Sequence, residues 1–216
     1  LFTMKRLNIL WIGLISVLMT ACYDDYEKDY DKSSVYFASQ KPLRTLVADT
    51  DMSIKVGVAI GGKREVHTDD WATFEIDPSL LDGTGLTLMP ENYYQLANPN
   101  KMTISNPNLA IADVKVTFSD AFYEDDDALN KLYAIPFRLI DHNQDEISTD
   151  VNGNLKDYSI VVVKFVSQYH GTYFVKGKVT NLSTQQVTEY SNKDLSQNMT
   201  RDFVSLGRNK VRRPGF

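Results

Sequence analysis

Short apolar runs that alternate along the chain constrain the fold more than any other feature of this sequence. The runs MSIKVGVAIGG (52–62) and ADVKVTF (112–118) place apolar residues at every second position, whereas YSIVVVKFV (158–166) is apolar almost throughout. A two-residue period is typical of a strand that buries one face, and a continuous apolar run indicates a strand that is buried on both faces. The sequence therefore predicts mainly β-structure.

Turn residues separate these runs at short intervals. Asn98-Pro99-Asn100 stands between two strand-like runs, and Asn152-Gly153 predicts a hairpin. The run YAIPFRLI (133–140) predicts another strand, in which Pro136 indicates an edge position or a bulge. Short strands at this spacing predict an all-β sandwich over residues 34–166.

One segment inside the predicted sandwich is not strand-like. DAFYEDDDALNKL (120–132) predicts a short helical crossover between two strands, laid against an edge or an end of the sandwich. In this arrangement Phe122, Leu129 and Leu132 are expected to face inward.

The N-terminal segment predicts where the protein resides. Lys5 and Arg6 precede an apolar run of about 13 residues (7–19), which is followed by two small residues and by Cys22, the one cysteine of the chain. A membrane-spanning helix needs roughly 20 apolar residues, so the run fits a signal peptide better. The order of these features resembles a bacterial lipoprotein signal, which implies that residues 1–21 are removed and that lipid is attached to Cys22. A buried structural cysteine or a short amphipathic anchor is the alternative.

Lipidation of Cys22 would leave no thiol for catalysis, disulfides or metal binding, and acyl chains would anchor the protein to a membrane. Residues 22–33 are acidic and lack apolar periodicity, so they are predicted to be a flexible tether. Acidic residues this close to the cysteine resemble the export signal of surface-exposed lipoproteins in the Bacteroidota. We therefore expect an outer-membrane lipoprotein at the cell surface, with a periplasm-facing position as the alternative.

Two longer stretches resemble a known family. ENYYQLANPNKMTI (91–104) and ADVKVTFSDAFYEDDDALNKLYAIPFRLID (112–141) are similar to a Bacteroidota domain of unknown function that follows the lipoprotein signal of many polysaccharide-utilisation proteins. The resemblance implies an immunoglobulin-like β-sandwich and no established catalytic residues. One departure is SNPNLAIAD (105–113), which replaces the usual glycine turn before the following strand.

The sequence after Val166 begins a new pattern. YHGTYFVKGKVTN (169–181) looks like the opening of the second β domain that often follows in such proteins. About 50 residues are too few for a second sandwich. Residues 167–216 are therefore expected to be a partial second β domain or a poorly ordered tail.

Two groups of residues are candidate binding sites. Exposed aromatic rings can stack on sugars, and the candidates for such a platform are Trp71, Tyr93, Tyr94 and Tyr123. Packing in the sandwich core is the alternative for these rings.

The acidic crossover offers oxygen ligands for calcium but lacks the spacing and the glycine of a known calcium loop. Solvated loop charge is the alternative and the better interpretation. The weak calcium candidates are Asp120, Glu124, Asp125, Asp126 and Asp127.

The function that the sequence predicts is non-catalytic. A formal net charge of -5 gives no basic footprint for nucleic acid, and no motif indicates an enzyme or a cofactor. We expect a lipid-anchored glycan-binding or accessory module of a polysaccharide-utilisation system, with polysaccharide and outer-membrane glycan transporter components as partners. The alternative is a structural spacer that presents a missing C-terminal functional domain away from the outer membrane.

Overall fold

The strands form where apolar and polar residues alternate. The computed structural model describes residues 31–63, 67–106 and 108–214. Strands β3 (Ser53–Gly61) and β8 (Ile111–Phe118) bury alternate residues on one face. Strands β9 (Tyr133–His142) and β11 (Tyr158–Val166) contain consecutive buried residues, as expected for strands that are covered on both faces.

Seven shorter strands complete the main sheet: β1 (Ser34–Tyr36), β2 (Leu43–Val47), β4 (Trp71–Ile76), β5 (Thr87–Leu88), β6 (Tyr94–Leu96), β7 (Lys101–Ile104) and β10 (Glu146–Ile147). The order is β10-β1-β3-β8-β7-β4-β9-β11-β2, with β5 added to β9 and β6 added to β8. Strand β7 pairs with both β8 and β4, so it joins the two halves of the curled sheet. The predicted all-β, sandwich-like fold is confirmed.

The helical crossover packs against the core through its aromatic side chains, with Phe122 at the centre of the contact. Helix α1 (Asp120–Glu124) is followed by a 3-10 turn (Asp126–Leu129), and both lie between β8 and β9 in the chain. Phe122 is fully buried and contacts the rings of Tyr93, Phe118, Tyr123, Tyr133 and Phe165.

The prediction that apolar side chains of the crossover face the core is correct for Phe122, and Leu129 is partly buried against the same core. Leu132 is 39% exposed, so that part of the prediction is wrong. Its neighbour Tyr133 begins β9 facing the core, and consecutive strand residues point to opposite faces.

Pro136 lies inside the sheet, so the predicted edge position is wrong. Strand β9 is flanked by β4 and β11. Along one side β9 pairs first with β5, through Tyr133 and Ala134, and then with β4 from Phe137 onward. Pro136 lies where the partner strand changes, and the Asp77 N–H donates to its carbonyl oxygen at 2.9 Å. The irregularity in the β4–β9 pairing lies elsewhere, between Thr73 and Phe74.

The segment after β11 forms two small sheets. Strands β12 (Gly171–Phe174), β15 (Thr200–Gly207) and β16 (Lys210–Arg212) make one, and β13 (Gly177–Thr180) pairs with β14 (Val187–Tyr190) in the other.

The main hydrophobic cluster lies before this segment, entirely between Val35 and Phe165. A partly exposed charge contact connects the two parts: Arg208, after β15, donates from Nε and Nη2 to Asp49 Oδ1 at 2.9 and 2.6 Å. Within the described ranges, no helix is long and apolar enough to cross a membrane.

Candidate functional site

An open groove lies on the outer face of the β10-β1-β3 part of the sheet. Its volume is about 680 Å³, which is in the range of small-molecule sites. We call it the Tyr36 groove, and it is lined by Asp31, Lys32, Ser34, Tyr36, Gly61, Gly62, Glu146, Ser148, Thr149 and Lys156. Its residues come from three separate parts of the chain, which the pairing of β1 with β3 and β10 brings together.

Alternation along β1 directs Tyr36 into the groove. Val35 and Phe37 are 0% and 2% exposed and enter the core. Side chains of consecutive strand residues point to opposite faces, so Tyr36 must face outward, where it is half-buried. Ser34 lies on the same outer face and pairs with Gly61.

The ammonium group of Lys156 lies over the Tyr36 ring, 4.4 Å from its centroid. The backbone of Lys156 is fixed on both sides: its carbonyl accepts from Phe37 N at 2.9 Å, and its N–H donates to Ser148 O at 2.9 Å. No ion pair joins Lys156 to another residue of the described chain. The other lysine of the groove, Lys32, pairs with Glu146 at 3.3 Å.

Two glycines shape the floor of the groove. A Cβ at Gly61 would lie 2.9 Å from Ser34 Oγ and 3.6 Å from the Tyr36 ring, so the missing side chain keeps this floor open. Gly62 has a φ of +78°, and a Cβ there would lie 2.2 Å from the Lys32 carbonyl oxygen. The positive φ and the close approach of the Lys32 carbonyl therefore both require glycine at position 62.

A hairpin forms the rim next to Lys156. Thr149 bridges to Leu155, the Asp150 N–H donates to Asn154 O at 2.8 Å, and Gly153 has a φ of +85°. The predicted Asn152-Gly153 hairpin is confirmed. Hydrogen bonds from Asn154 and Asn152 hold the pKa of Asp150 below its usual range, so the loop itself satisfies this carboxylate.

A polar network fixes the N-terminal end of β1. Asp145 Oδ2 accepts from both Ser33 N and Ser33 Oγ at 2.7 Å, and these bonds hold the pKa of Asp145 below its usual range.

Asp70 is the buried acid of the neighbouring loop and is 2% exposed. Its Oδ1 accepts from Gln144 Nε2 at 2.8 Å and from Lys63 Nζ at 3.0 Å. Burial by itself raises the pKa of Asp70, but the hydrogen bonds from Gln144 and Lys63 outweigh it, and the pKa lies below its usual range.

The four predicted stacking residues do not form one platform. Tyr123 is 2% exposed, with its ring against Phe122 and Phe165, so no ligand can stack on it and this prediction is wrong. Tyr93 belongs to the same aromatic cluster through Phe122, at 6.0 Å between centroids, and Tyr94 packs against the main core.

Trp71 lies apart from these tyrosines at the start of β4, and no ring contact joins it to them. Trp71 is half-buried, the Lys101 ammonium lies 4.9 Å from the centroid of its ring, and its backbone N–H donates to Asn143 Oδ1 at 2.9 Å. Trp71 therefore stays a candidate for a separate contact.

The acidic side chains of the crossover contact different partners instead of one another. Asp120 and Glu124 lie 2.8 and 3.8 Å from Arg208, and Asp127 lies 2.6 Å from Lys131.

Asp125 is a third case, since it accepts from Tyr133 Oη at 2.8 Å and from the Asp127 N–H at 2.9 Å. Asp126 has no ion pair or side-chain hydrogen bond with another residue of the described ranges. In the portion of the chain that the structure describes, no group of three His, Cys, Asp or Glu side chains could hold a metal ion. The calcium prediction is therefore corrected: Asp120, Glu124 and Asp127 form ion pairs, Asp125 caps a turn, and none of the five candidates belongs to a metal-binding group. Cys22 lies outside the described residues.

Sequence reasoning missed Tyr36, although a signal for it was present. The run SVYFAS places Tyr36 between two apolar residues, so strand alternation alone predicts that it faces outward if they face the core. Lys156 carried no such signal, because its approach to Tyr36 depends on how the hairpin packs beside β1.

The fold defines this protein as an all-β sandwich with a polar, aromatic groove on its outer face. A family model with the description "-like, N-terminal domain" matches residues 30–146, more than half of the chain. The chain belongs to this family of N-terminal domains, which is consistent with a Bacteroidota domain of unknown function. A search of the curated proteins found no match.

Three solved structures illustrate the likeness. A Bacteroides ovatus protein of unknown function has a TM-score of 0.66 at 22% identity, over 83% of this chain and 66% of that chain. An auxiliary nutrient binding protein from Bacteroides thetaiotaomicron has a TM-score of 0.43 at 11% identity, over 83% of this chain and 61% of that chain. The structure of EndoBT-3987 with Man5GlcNAc product, also from Bacteroides, has a TM-score of 0.42 at 22% identity, over 63% of this chain and 32% of that chain. The chain thus spans less than two thirds of the length of these structures, and the first of them shares its fold.

Proposed function

We propose that this protein is a lipid-anchored cell-surface module that binds a glycan in the Tyr36 groove without cleaving it. The observation that carries the proposal is a half-buried aromatic ring in a concave surface that is otherwise lined by hydroxyl and charged groups. Sugars present apolar C–H faces and hydroxyl groups, and sites of this composition match both.

The rigidity of the groove supports the same role. Strand pairing fixes Tyr36 opposite Ala59, and the Ser33–Asp145 hydrogen bonds hold the start of β1. A site on paired strands loses little conformational entropy on binding, because its side chains are already positioned.

The lipid anchor and the cell-surface location are inferred from the N-terminal sequence. The order of Lys5-Arg6, an apolar run, a small pair and Cys22 supports lipid attachment, and the acidic residues after Cys22 support exposure at the cell surface. The resemblance to polysaccharide-utilisation lipoproteins supports a glycan as the ligand and a glycan transporter as a neighbour.

A spacer role is the second candidate, and Arg208 favours it. This residue fixes the C-terminal strands to the sandwich through Asp49 and Asp120. Such a contact would hold whatever the C-terminal strands carry at a defined position relative to the anchor.

Affinity electrophoresis of the detergent-solubilised full chain against a panel of polysaccharides separates the two candidates. We expect retardation by at least one glycan, and no new reducing ends when that glycan is incubated with the protein. Retardation by none favours the spacer, and release of reducing ends contradicts the non-catalytic proposal.

A further inference from the structure

We infer that the Tyr36 groove selects a saccharide that carries a carboxylate, such as a uronic acid, and that Lys156 is the residue that recognises it. This inference rests on the proposed function, since it names the chemical class of the glycan in the same groove.

The charges of the groove single out Lys156. Lys32 and Glu146 neutralise each other at 3.3 Å, with side chains that are 68% and 51% exposed. Lys156 lies over the Tyr36 ring instead and has no ion pair with another described residue. The cation that remains for an incoming anion is therefore the one beside the aromatic ring.

The contact between Lys156 and Tyr36 can be exchanged for a ligand contact. An exposed cation–π contact is weaker than a charge-assisted hydrogen bond between an ammonium and a carboxylate. A uronate that stacks beside Tyr36 can therefore draw the ammonium off the ring and accept a hydrogen bond from it. Ser148 and Thr149, on the adjoining rim, offer hydroxyl groups to the same sugar.

Asp31 limits which anions fit. It also lines the groove and is not neutralised by an ion pair with another described residue. Together with the net charge of -5, it opposes a densely charged polyanion. The groove therefore suits a glycan with isolated carboxylates rather than a polysulfate.

The chain offers a matched control for Lys156. Lys101 lies over the Trp71 ring at 4.9 Å, the same kind of contact in another place. If any lysine on an aromatic ring attracted acidic glycans, then Lys101→Ala and Lys156→Ala would weaken binding equally.

The test uses the full chain in non-ionic detergent and native gels that contain glucuronoxylan, alginate or galacturonan, each beside its carboxyl-reduced form. Glucuronoxylan carries isolated carboxylates, whereas alginate and galacturonan carry one on every residue and serve as the densely charged comparison. We expect alginate and galacturonan to bind less tightly than glucuronoxylan, and glucuronoxylan to bind about 10-fold more tightly than its reduced form. Lys156→Ala should remove this difference, Lys156→Arg should keep most of it, and Lys101→Ala should leave it unchanged.

Two results overturn the inference while the proposed function stands: equal retardation by carboxylate and reduced forms, or a loss of selectivity in Lys101→Ala that matches Lys156→Ala. Retardation by no glycan of either form overturns the proposed function as well. The comparison of ligand forms uses the unaltered protein, so it decides the question even if Lys156→Ala fails to fold.

Discussion

Replacing Arg208 with alanine tests how the C-terminal strands are held to the sandwich. The guanidinium makes two hydrogen bonds to Asp49 Oδ1, at 2.9 and 2.6 Å, and lies 2.8 Å from Asp120. It also lies 5.7 Å from the centroid of the Tyr123 ring, whose hydroxyl is buried without a hydrogen-bond partner among the described residues. The hydrogen bonds to Asp49 and Asp120 raise the pKa of Arg208, so it stays charged at every practical pH.

The expected cost follows from the exposure of these groups. Arg208 and Asp49 are 24% and 30% exposed, so their pair is partly screened, and Asp120 at 68% contributes as an ordinary surface pair. Exposed pairs contribute about 0.2–1 kcal/mol, better-buried charged hydrogen bonds about 1.5–3, and a surface cation–π contact about 0.5–1. These contributions overlap, so we expect Arg208→Ala to cost about 1–2 kcal/mol.

Most of this cost should appear as detachment of the C-terminal strands rather than as global unfolding. The main hydrophobic cluster ends at Phe165, and Arg208 lies outside it. Native-state hydrogen exchange should show β15 and β16 amides exchanging roughly 5–30-fold faster in Arg208→Ala, with the amides of β9 and β11 unchanged. Arg201→Ala is the control, because the Arg201 guanidinium bonds only the neighbouring Thr200 carbonyl among the described residues. Equal exchange rates of the β15 and β16 amides in Arg208→Ala and Arg201→Ala would refute the reasoning.

Three further changes test other parts of the account. Phe122→Ala should lower the free energy of unfolding by about 3–5 kcal/mol in urea denaturation, because it empties the centre of the aromatic cluster, and a loss below about 1 kcal/mol would contradict that role. The folded-state pKa of Asp70 is lowered, so the stabilisation from its carboxylate is complete above the unfolded value of about 3.9 and is lost as pH falls through the folded value. Asp70→Asn should therefore lose less stability than the unaltered protein between pH 4 and pH 2. Parallel curves of unfolding free energy against pH for the two proteins would contradict this. Labelling with a palmitate analogue should mark the unaltered protein and not Cys22→Ala, and label on the variant would mean that lipid is not attached there.

The strands were predictable because their signal is local. The alternation in β3 and β8 and the apolar run of β11 each lie within nine residues, and tertiary packing did not override them. Pro136 was predicted wrongly because the rule that places proline at an edge assumes one partner strand per side, whereas β9 changes partner at that residue.

The candidate site was less predictable because it is assembled from distant segments. Tyr36, Gly61 and Lys156 come together only through the pairing of β1 with β3 and the packing of the hairpin beside β1. Tyr123 was predicted to be an exposed stacking ring, but it packs into the core together with its neighbour Phe122. Sequence pattern shows which residues are aromatic, and the fold decides which of them remain accessible.

The central claim is that Tyr36 and its groove, rather than Trp71, form the glycan site. The most direct test is isothermal titration calorimetry with a glycan that retards the protein in affinity electrophoresis. This glycan is titrated into the unaltered protein, Tyr36→Ala and Trp71→Ala. The account predicts that Tyr36→Ala weakens binding by at least about 10-fold, as expected when an anchoring aromatic ring is removed, and that Trp71→Ala binds like the unaltered protein. Unchanged binding by Tyr36→Ala would contradict the account, and a loss confined to Trp71→Ala would place the site at the start of β4 instead.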